Sequence, residues 1–204
     1  MIELQGSDGW FARRVGKITG SRIKDMLSEG KGITRAKYAF QLVAERMSGK
    51  ASRLGFKSAQ MERGNEMEPF GIMAYESVTG IMCELAPFSI HSTLPFFGAS
   101  PDRLIDDDGV LECKCPDSHT HYGYLLKGVV PTEYIPQMQA EIACTGRKWA
   151  DFISYDDEAA PEDRLFIIRY TPTEEELKKL EAEVTRFNFE VEELIQQIIK
   201  RRAA

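Results

Sequence analysis

Apolar residues recur at steps of three and four along much of the chain, which is the spacing of an amphipathic helix packed against a core. The longest such stretch opens with Thr173 three residues before Glu176, a capping box, and carries apolar residues as far as Ile198. The pattern therefore predicts a long C-terminal helix. Shorter helices are predicted to begin near Ser21, to cover 34–47 and 65–78, and to run from Pro136 to a stop at Gly146.

Short apolar and β-branched runs between these helices predict strands. The segment Asp106-Asp107-Asp108-Gly109 joins two of them, and its Asp-Gly pair is typical of a tight hairpin turn. Because helices and strands mix throughout, the pattern predicts an α/β fold, with a central mixed sheet flanked by helices. The predicted strands cover 83–91, 96–105, 110–115, 150–155 and 165–170.

The 204 residues, of which 43% are hydrophobic, provide material for one sizeable core. Since the sequence shows no repeat, linker or low-complexity tract, we expect residues 1–204 to form a single domain. No apolar run approaches the roughly 20 residues of a membrane span, and the first residues lack the pattern of a signal peptide. The four cysteines form no C-x-x-C pair. We therefore expect a soluble intracellular protein with reduced thiols.

The net charge of −6 argues against a nucleic-acid partner, but the charge is unevenly distributed along the chain. Residues 1–60 hold 12 Lys and Arg against 5 Asp and Glu, whereas residues 61–204 hold 14 against 27. A basic first segment could line a path for phosphates, while the acidic remainder holds metal ions. The alternative is a solvated surface with uneven charge.

The segment Ser100-Pro101-Asp102, followed after the turn by Leu111-Glu112-Cys113-Lys114-Cys115, is the sharpest chemical feature of the sequence. In a strand, residues two apart share a face, so Glu112 and Lys114 point to one side and the two cysteines to the other. If the preceding strand pairs through the hairpin, Asp102 returns to the same level. Two carboxylates and a lysine then converge.

This combination suits metal-dependent phosphodiester hydrolysis, because carboxylates bind Mg²⁺ and a cation steadies developing negative charge. Asp102 would bind or bridge the metals, and Glu112 would bind the one that carries the attacking water. Lys114 would position that water or stabilise the charge. The carbonyl of Cys113 is a further candidate ligand. The alternative is an ordinary Glu–Lys pair on a surface hairpin, which the added aspartate and the apolar strands disfavour.

The D-(about 10)-E-x-K arrangement resembles that of restriction-endonuclease-like nucleases. The segment 98–116, GASPDRLIDDDGVLECKCP, closely resembles the core motif of the lambda-type phage exonucleases, the YqaJ family. Flanking segments resemble that family's other motifs in the same order, which makes the resemblance far more specific than one motif would. These segments are Gly9-Trp10 with 14–21, then 63–69, and finally 134–139.

The resemblance implies a grip on a 5′-phosphate by Arg14 and Ser21, with the hydroxyl of Ser100 nearby. The residue types agree, because an arginine presents a fork of donors to phosphate and a serine at a helix start adds a hydroxyl and backbone donors. The alternative for Arg14 is a solvated charge.

The resemblance also assigns Glu68 as an additional acid of the metal site, although Asn65 and Glu68 form a capping-box-like pattern that would occupy the same carboxylate. Gln137 matches an active-site glutamine that would hold the attacking water or a phosphate oxygen, in preference to Gln139. Met61 matches an apolar wedge that splits terminal base pairs, against the alternative of a core or loop methionine.

Cys113 and Cys115, with His119 and His121 close behind, could be mistaken for a zinc site. The two cysteines are expected on the apolar face of the sheet, where a free cysteine behaves as a small buried hydrophobe. The histidines are expected in the loop beyond. Packing is therefore the favoured interpretation.

As a whole, the resemblance implies a restriction-endonuclease-like core and a Mg²⁺-dependent exonuclease that degrades one strand of duplex DNA from its 5′ end to mononucleotides. Two Mg²⁺ per site are implied, with Mn²⁺ as a substitute. It also implies a ring-shaped homotrimer, a single-strand-annealing partner, and a phage or prophage protein in the cytoplasm of a bacterial host. The rival functions are a related endonuclease and a catalytically silent module that binds DNA ends.

Overall fold

The computed structural model describes residues 5–28, 33–52 and 59–203 of the chain. Short 3₁₀ turns cover Gly20–Arg22 and Pro161–Asp163. Among the described residues, no helix is long and apolar enough to cross a membrane. The α-helices are α1 (Asp8–Arg14), α2 (Ile23–Met26), α3 (Ile33–Ser48), α4 (Ala59–Thr79), α5 (Ser118–Lys127), α6 (Ile135–Thr145) and α7 (Glu174–Ala203).

The strands are β1 (Ile18–Thr19), β2 (Glu84–Leu85), β3 (Ser89–Ile90), β4 (Phe97–Ala99), β5 (Arg103–Ile105), β6 (Gly109–Lys114), β7 (Trp149–Tyr155) and β8 (Leu165–Tyr170). They form two mixed sheets. In the larger sheet the order is β2-β5-β6-β7-β8, in which β6 and β7 run parallel and the other neighbours antiparallel. The smaller sheet has the order β1-β4-β3, with β1 parallel to β4. The predicted α/β class is confirmed.

Helices cover both faces of the larger sheet. On one face, Ile72 and Tyr75 of α4 belong to the same buried cluster as Leu111 of β6. On the other face, Met138 of α6 packs in a cluster with Phe152 of β7. Strand β6 is therefore covered from both sides, and its residues from Gly109 to Cys113 are all buried.

The long helix α7 completes a third cluster with α3 and the smaller sheet. Leu180, Val184, Phe187 and Val191 are buried along one stripe of the helix, and the Phe187 ring stacks on Tyr38 at 5.5 Å between centroids. The predicted capping box is present, because the backbone N–H of Thr173 donates to Glu176 at 2.7 Å and the Glu176 N–H donates to the Thr173 hydroxyl at 3.2 Å.

Several predicted boundaries were wrong. Helix α4 begins at Ala59 rather than 65, so Pro69 lies inside the helix instead of in its first turns. The strand predicted over 83–91 is divided into β2 and β3, which pair in different sheets. The strand predicted over 96–105 is interrupted at Ser100-Pro101-Asp102, where the chain leaves the smaller sheet for the larger one.

The packing of α7 predicts a large difference between two phenylalanines two residues apart. Phe187 is fully buried, whereas Phe189 is 67% exposed. Phe187→Ala is expected to lower the free energy of unfolding by about 3–5 kcal/mol, because it leaves a cavity in the core. Phe189→Ala, the matched control, should change it by less than about 0.5 kcal/mol. Urea denaturation measures both, and equal losses would contradict this packing.

Candidate active site

The hairpin of β5 and β6 brings Asp102 beside Glu112. The backbone N–H of Asp102 donates to the carbonyl of Leu111 at 3.1 Å, and the Asp102 carboxylate accepts from the backbone N–H of Cys113 at 2.7 Å. Because Leu111 and Cys113 flank Glu112 on β6, these two bonds hold Asp102 at the level of Glu112 along the strand. The structure thus places Asp102 where the ten-residue spacing around a tight turn predicts it.

Glu112 and Lys114 share one face of β6, and the Lys114 ammonium contacts the Glu112 carboxylate. Glu112 is fully buried, while the side chain of Lys114 is 27% exposed and its ammonium lies 5.3 Å from the centre of the Tyr134 ring. Burial lowers the pKa of Lys114, but the carboxylates of Glu112 and Asp102 outweigh it and raise the pKa on balance. The lysine is therefore a permanent cation of the site.

Helix α6 adds Gln137 and one acid that sequence reasoning missed. The side-chain amide of Gln137 donates to Glu112 at 2.5 Å and to Glu141 at 2.9 Å. Glu141 is only 1% exposed. Its position between Met138 and Ile142, on the buried side of the predicted helix, was the signal that could have found it.

Burial and the nearby negative charge of Glu112 oppose the ionisation of Asp102 and Glu141. Burial, with the nearby Glu112 as the next cause, raises the pKa of Asp102 well above its ordinary value. The same two causes raise the pKa of Glu141 well above its ordinary value. Clustered carboxyl groups of this kind mark a site that is built to receive positive charge.

Glu68 approaches the site from α4. Burial raises the pKa of its carboxyl, although Arg103, whose guanidinium lies 3.6 Å away, opposes the shift. The capping-box alternative is wrong, because Asn65 lies inside α4 and not at its start. The Glu68 carboxylate is thus available to the cleft.

The acidic residues fit a hard divalent cation. One oxygen of Glu112 is buried and accepts no hydrogen bond from any described residue. A buried oxygen without a donor is costly, and a cation would satisfy it. Among the described residues, no three His, Cys, Asp or Glu side chains are grouped as a ready-made metal site. Mg²⁺ needs fewer protein ligands, because it keeps several waters and is held by one or two carboxylates together with substrate phosphates.

A cleft of about 650 Å³ opens beside these carboxylates and contains most of the predicted site. Glu112 is fully buried and is not among the residues that line this cleft. The cleft joins elements that are distant in sequence, from α1 to α6. The predicted residues that line it are Arg14, Ser21, Glu68, Ser100, Asp102, Cys113, Lys114 and Gln137.

One wall of the cleft carries Arg14 and two hydroxyl groups. The Arg14 guanidinium donates to the hydroxyl of Ser21 at 3.3 Å and lies 4.1 Å over the Trp10 ring, whose indole N–H donates to Ser100 at 3.2 Å. Burial lowers the pKa of Arg14 to about 10, although Tyr38 opposes the shift. The arginine is still a cation at neutral pH, and its fork of donors suits a phosphate.

The remaining candidates lie elsewhere. Gln139 donates to the hydroxyl of Tyr170 at 2.7 Å and does not line the cleft. The histidines are not in a loop as predicted: His119 and His121 belong to α5, which was not predicted. The ring of His121 is buried, 2.7 Å from both the Ser154 hydroxyl and the Asp163 carbonyl. The side chain of Met61 lies outside the described residues.

Cys113 and Cys115 pack in the apolar cluster beneath α4, as predicted, with their sulfur atoms 3.9 Å apart. His121 is bonded to other partners, and His119 is exposed beside Asp117. The cysteines and histidines thus do not converge on a zinc site.

A hairpin that places two carboxylates and a lysine beside a cleft whose wall carries an arginine is the arrangement of a metal-dependent phosphodiester hydrolase. Comparison with known proteins narrows this class. The YqaJ-like viral recombinase domain matches residues 9–148. The chain therefore belongs to the YqaJ-like viral recombinase family.

Solved structures agree with that assignment. The alkaline exonuclease LHK-Exo of Laribacter hongkongensis is 36% identical over 97% of this chain and 98% of its own, with a TM-score of 0.89. Its complex with dAMP matches over the same shares at 36% identity and a TM-score of 0.90. A phage-related exonuclease of Haemophilus somnus, 13% identical over 89% of this chain and 96% of its own, has a TM-score of 0.70 and shares the fold. No curated protein matches the chain.

The raised pKa of Asp102 predicts how the metal-free enzyme responds to pH. The folded state holds the Asp102 proton more tightly than the unfolded chain does, so stability is lost as the pH rises through the raised pKa. Asp102→Asn removes that loss. In EDTA, the variant is therefore expected to become more stable than wild type as the pH rises, and urea denaturation across a pH series measures the difference.

The matched control is Asp107→Asn, an exposed residue of the hairpin turn, whose unfolding should follow wild type at every pH. A constant difference between Asp102→Asn and wild type from acid to alkaline pH would contradict the burial argument.

Proposed function

We propose that this chain, a DNA exonuclease of the YqaJ-like family, degrades one strand of linear duplex DNA in the 5′-to-3′ direction and releases mononucleotides. The observation that carries the proposal is the placement of Arg14 and Ser21 in the same cleft as Asp102 and Lys114. A phosphate anchored at the wall leaves a neighbouring phosphodiester beside the carboxylates. The dAMP in the complex of LHK-Exo is a deoxynucleotide of the class that this reaction releases.

Divalent metal ions serve nucleases of this kind, and the proposed ion is Mg²⁺, two per site, with Mn²⁺ as a substitute. Asp102 and Glu112 would hold it, with the Cys113 carbonyl and Glu68 as further ligands. When bound, the metal supplies Lewis acidity and a more nucleophilic water. Lys114 faces the same space and stabilises the negative charge that develops on the phosphate.

The proposed 5′-to-3′ direction of cleavage depends on the wall of the cleft that carries Arg14. Arg14 would bind the terminal 5′-phosphate through its forked donors, with the hydroxyls of Ser21 and Ser100 as further contacts. Met61, which the resemblance assigns as a wedge, would separate the terminal base pair. The 3′ strand left behind is a substrate for a single-strand-annealing protein.

The chain is further proposed to act as one nuclease domain over residues 1–204, in a homotrimeric ring around DNA. Its setting would be the cytoplasm of a bacterial host that carries the phage or prophage. The basic first segment, which contributes Arg14, supports contact with the DNA backbone.

Release of mononucleotides tests the function directly. Wild type is expected to release them from linear duplex DNA in Mg²⁺ but not in EDTA, and faster when the ends carry a 5′-phosphate. Lys114→Ala should lower release by at least about 100-fold, the usual cost of losing a charge-stabilising group. Internal cuts in circular duplex would favour an endonuclease instead. Binding to DNA ends without release of mononucleotides would favour a catalytically silent module.

Substitution of Arg14 gives a second test, which separates binding of the 5′-phosphate from catalysis. Arg14→Ala is expected to slow release from 5′-phosphorylated ends by about tenfold or more, because hydrogen bonds to a charged group are lost. Its rate on 5′-hydroxyl ends should stay near wild type. Arg13→Ala, a neighbouring exposed arginine outside the cleft lining, is the control and should keep the preference. Equal losses of Arg14→Ala on both kinds of end would contradict the assigned grip.

A further inference from the structure

Glu141 and Gln137 lie four residues apart on α6, on the side of the helix that faces β6. Glu141 is 1% exposed and Gln137 lines the cleft, so the glutamine stands between the buried acid and the reaction space. A helix position between Met138 and Ile142 would ordinarily be apolar, since burying a carboxyl group is costly. The presence of Glu141 at this buried position therefore indicates a functional role that offsets the cost.

The two hydrogens of the Gln137 amide are both committed. The amide nitrogen donates one hydrogen to Glu112 at 2.5 Å and the other to Glu141 at 2.9 Å, and each carboxyl group offers an acceptor oxygen. If the amide were turned over, its carbonyl oxygen would face the two oxygens to which its nitrogen now donates, and it has no hydrogen to donate to either. The pair of acids therefore determines which end of the amide faces them.

We propose that Glu141 is a positioning residue that, together with Glu112, fixes the Gln137 amide with its carbonyl oxygen toward the cleft as a hydrogen-bond acceptor. Resting on the proposed function, this assigns that oxygen to the attacking water. A water has hydrogens to donate, whereas a phosphate oxygen has none. Gln137 thus orients the nucleophile and does not bind the phosphate.

Glu141, in turn, touches neither substrate nor water in this arrangement. It acts through Gln137, and one of its own oxygens accepts no hydrogen bond from any described residue. An amide at this position could still accept from Gln137 with its oxygen while its nitrogen donates toward Glu112. An apolar side chain of similar length could not. Comparing Glu141→Gln with Glu141→Met therefore separates the effect of the acceptor oxygen from the effect of side-chain packing.

The test compares Glu141→Gln with Glu141→Met in single-turnover cleavage of 5′-phosphorylated duplex in Mg²⁺. Glu141→Met is expected to slow cleavage by about tenfold, the usual cost of a lost hydrogen bond of this kind, with DNA binding in EDTA unchanged. Glu141→Gln should stay within about threefold of wild type. With Gln137→Ala already present, Glu141→Met should have little further effect, because the residue acts through Gln137.

A second readout needs no metal and no turnover. In the metal-free protein, labelled side-chain amides report the hydrogen bonds of each glutamine by NMR, and loss of a signal in Gln137→Ala assigns it. The Gln137 amide protons are expected to be protected from exchange in wild type and Glu141→Gln but to exchange rapidly in Glu141→Met. The amide of Gln139, bonded to Tyr170 away from the cleft, is the internal control and should not change.

Equal losses in Glu141→Gln and Glu141→Met would show that an acceptor oxygen at position 141 is not sufficient, and would overturn the proposal. So would an unchanged Gln137 signal in Glu141→Met, or losses that simply add to that of Gln137→Ala. If wild type released no mononucleotides but the Gln137 signals behaved as expected, the proposed function would fail while the fixed amide orientation would stand.

Discussion

The burial of several acidic side chains beside one another is the constraint on which the rest of this structure depends. Asp102, Glu112 and Glu141 are each less than a tenth exposed, and their burial, followed by the proximity of Glu112, raises the pKa of Asp102 and of Glu141. Neighbouring groups hold the cluster in place: the Lys114 ammonium, the Gln137 amide and the backbone N–H of Cys113. A protein selected for stability alone would not retain such a cluster, because apolar residues would pack there at lower cost.

The fold follows from the need to hold that cluster. The β5–β6 hairpin sets Asp102 against Glu112, and the parallel pairing of β6 with β7 requires a crossover, which α5 and α6 provide. This crossover brings Gln137 over the strand. The segment from α1 through the 3₁₀ turn at Gly20–Arg22 adds Arg14 and Ser21 at the opposite wall. The acidic residues, Lys114 and Arg14 thus meet at one cleft although they are distant in sequence.

Local patterns predicted most of this arrangement. Strand periodicity and the Asp-Gly turn were enough to place Asp102, Glu112 and Lys114 together. The pattern could not show that Pro101, which lacks an N–H to donate, lies where the chain changes sheets. It also missed α5, whose ten residues include Gly123, although Asp117 caps its start. Glu141 was missed because burial of a helix face depends on what packs against it, and a lone glutamate carries no motif.

The most direct test of the account is anomalous diffraction from crystals soaked in Mn²⁺, in wild type and in a variant carrying Asp102→Asn and Glu112→Gln. We expect anomalous peaks bonded to the carboxylate oxygens of Asp102 and Glu112 in wild type, and their loss in the double variant. A cleft that stays empty at saturating Mn²⁺, or peaks that persist without both carboxylates, would contradict the central claim that this buried cluster is a metal-dependent nuclease site.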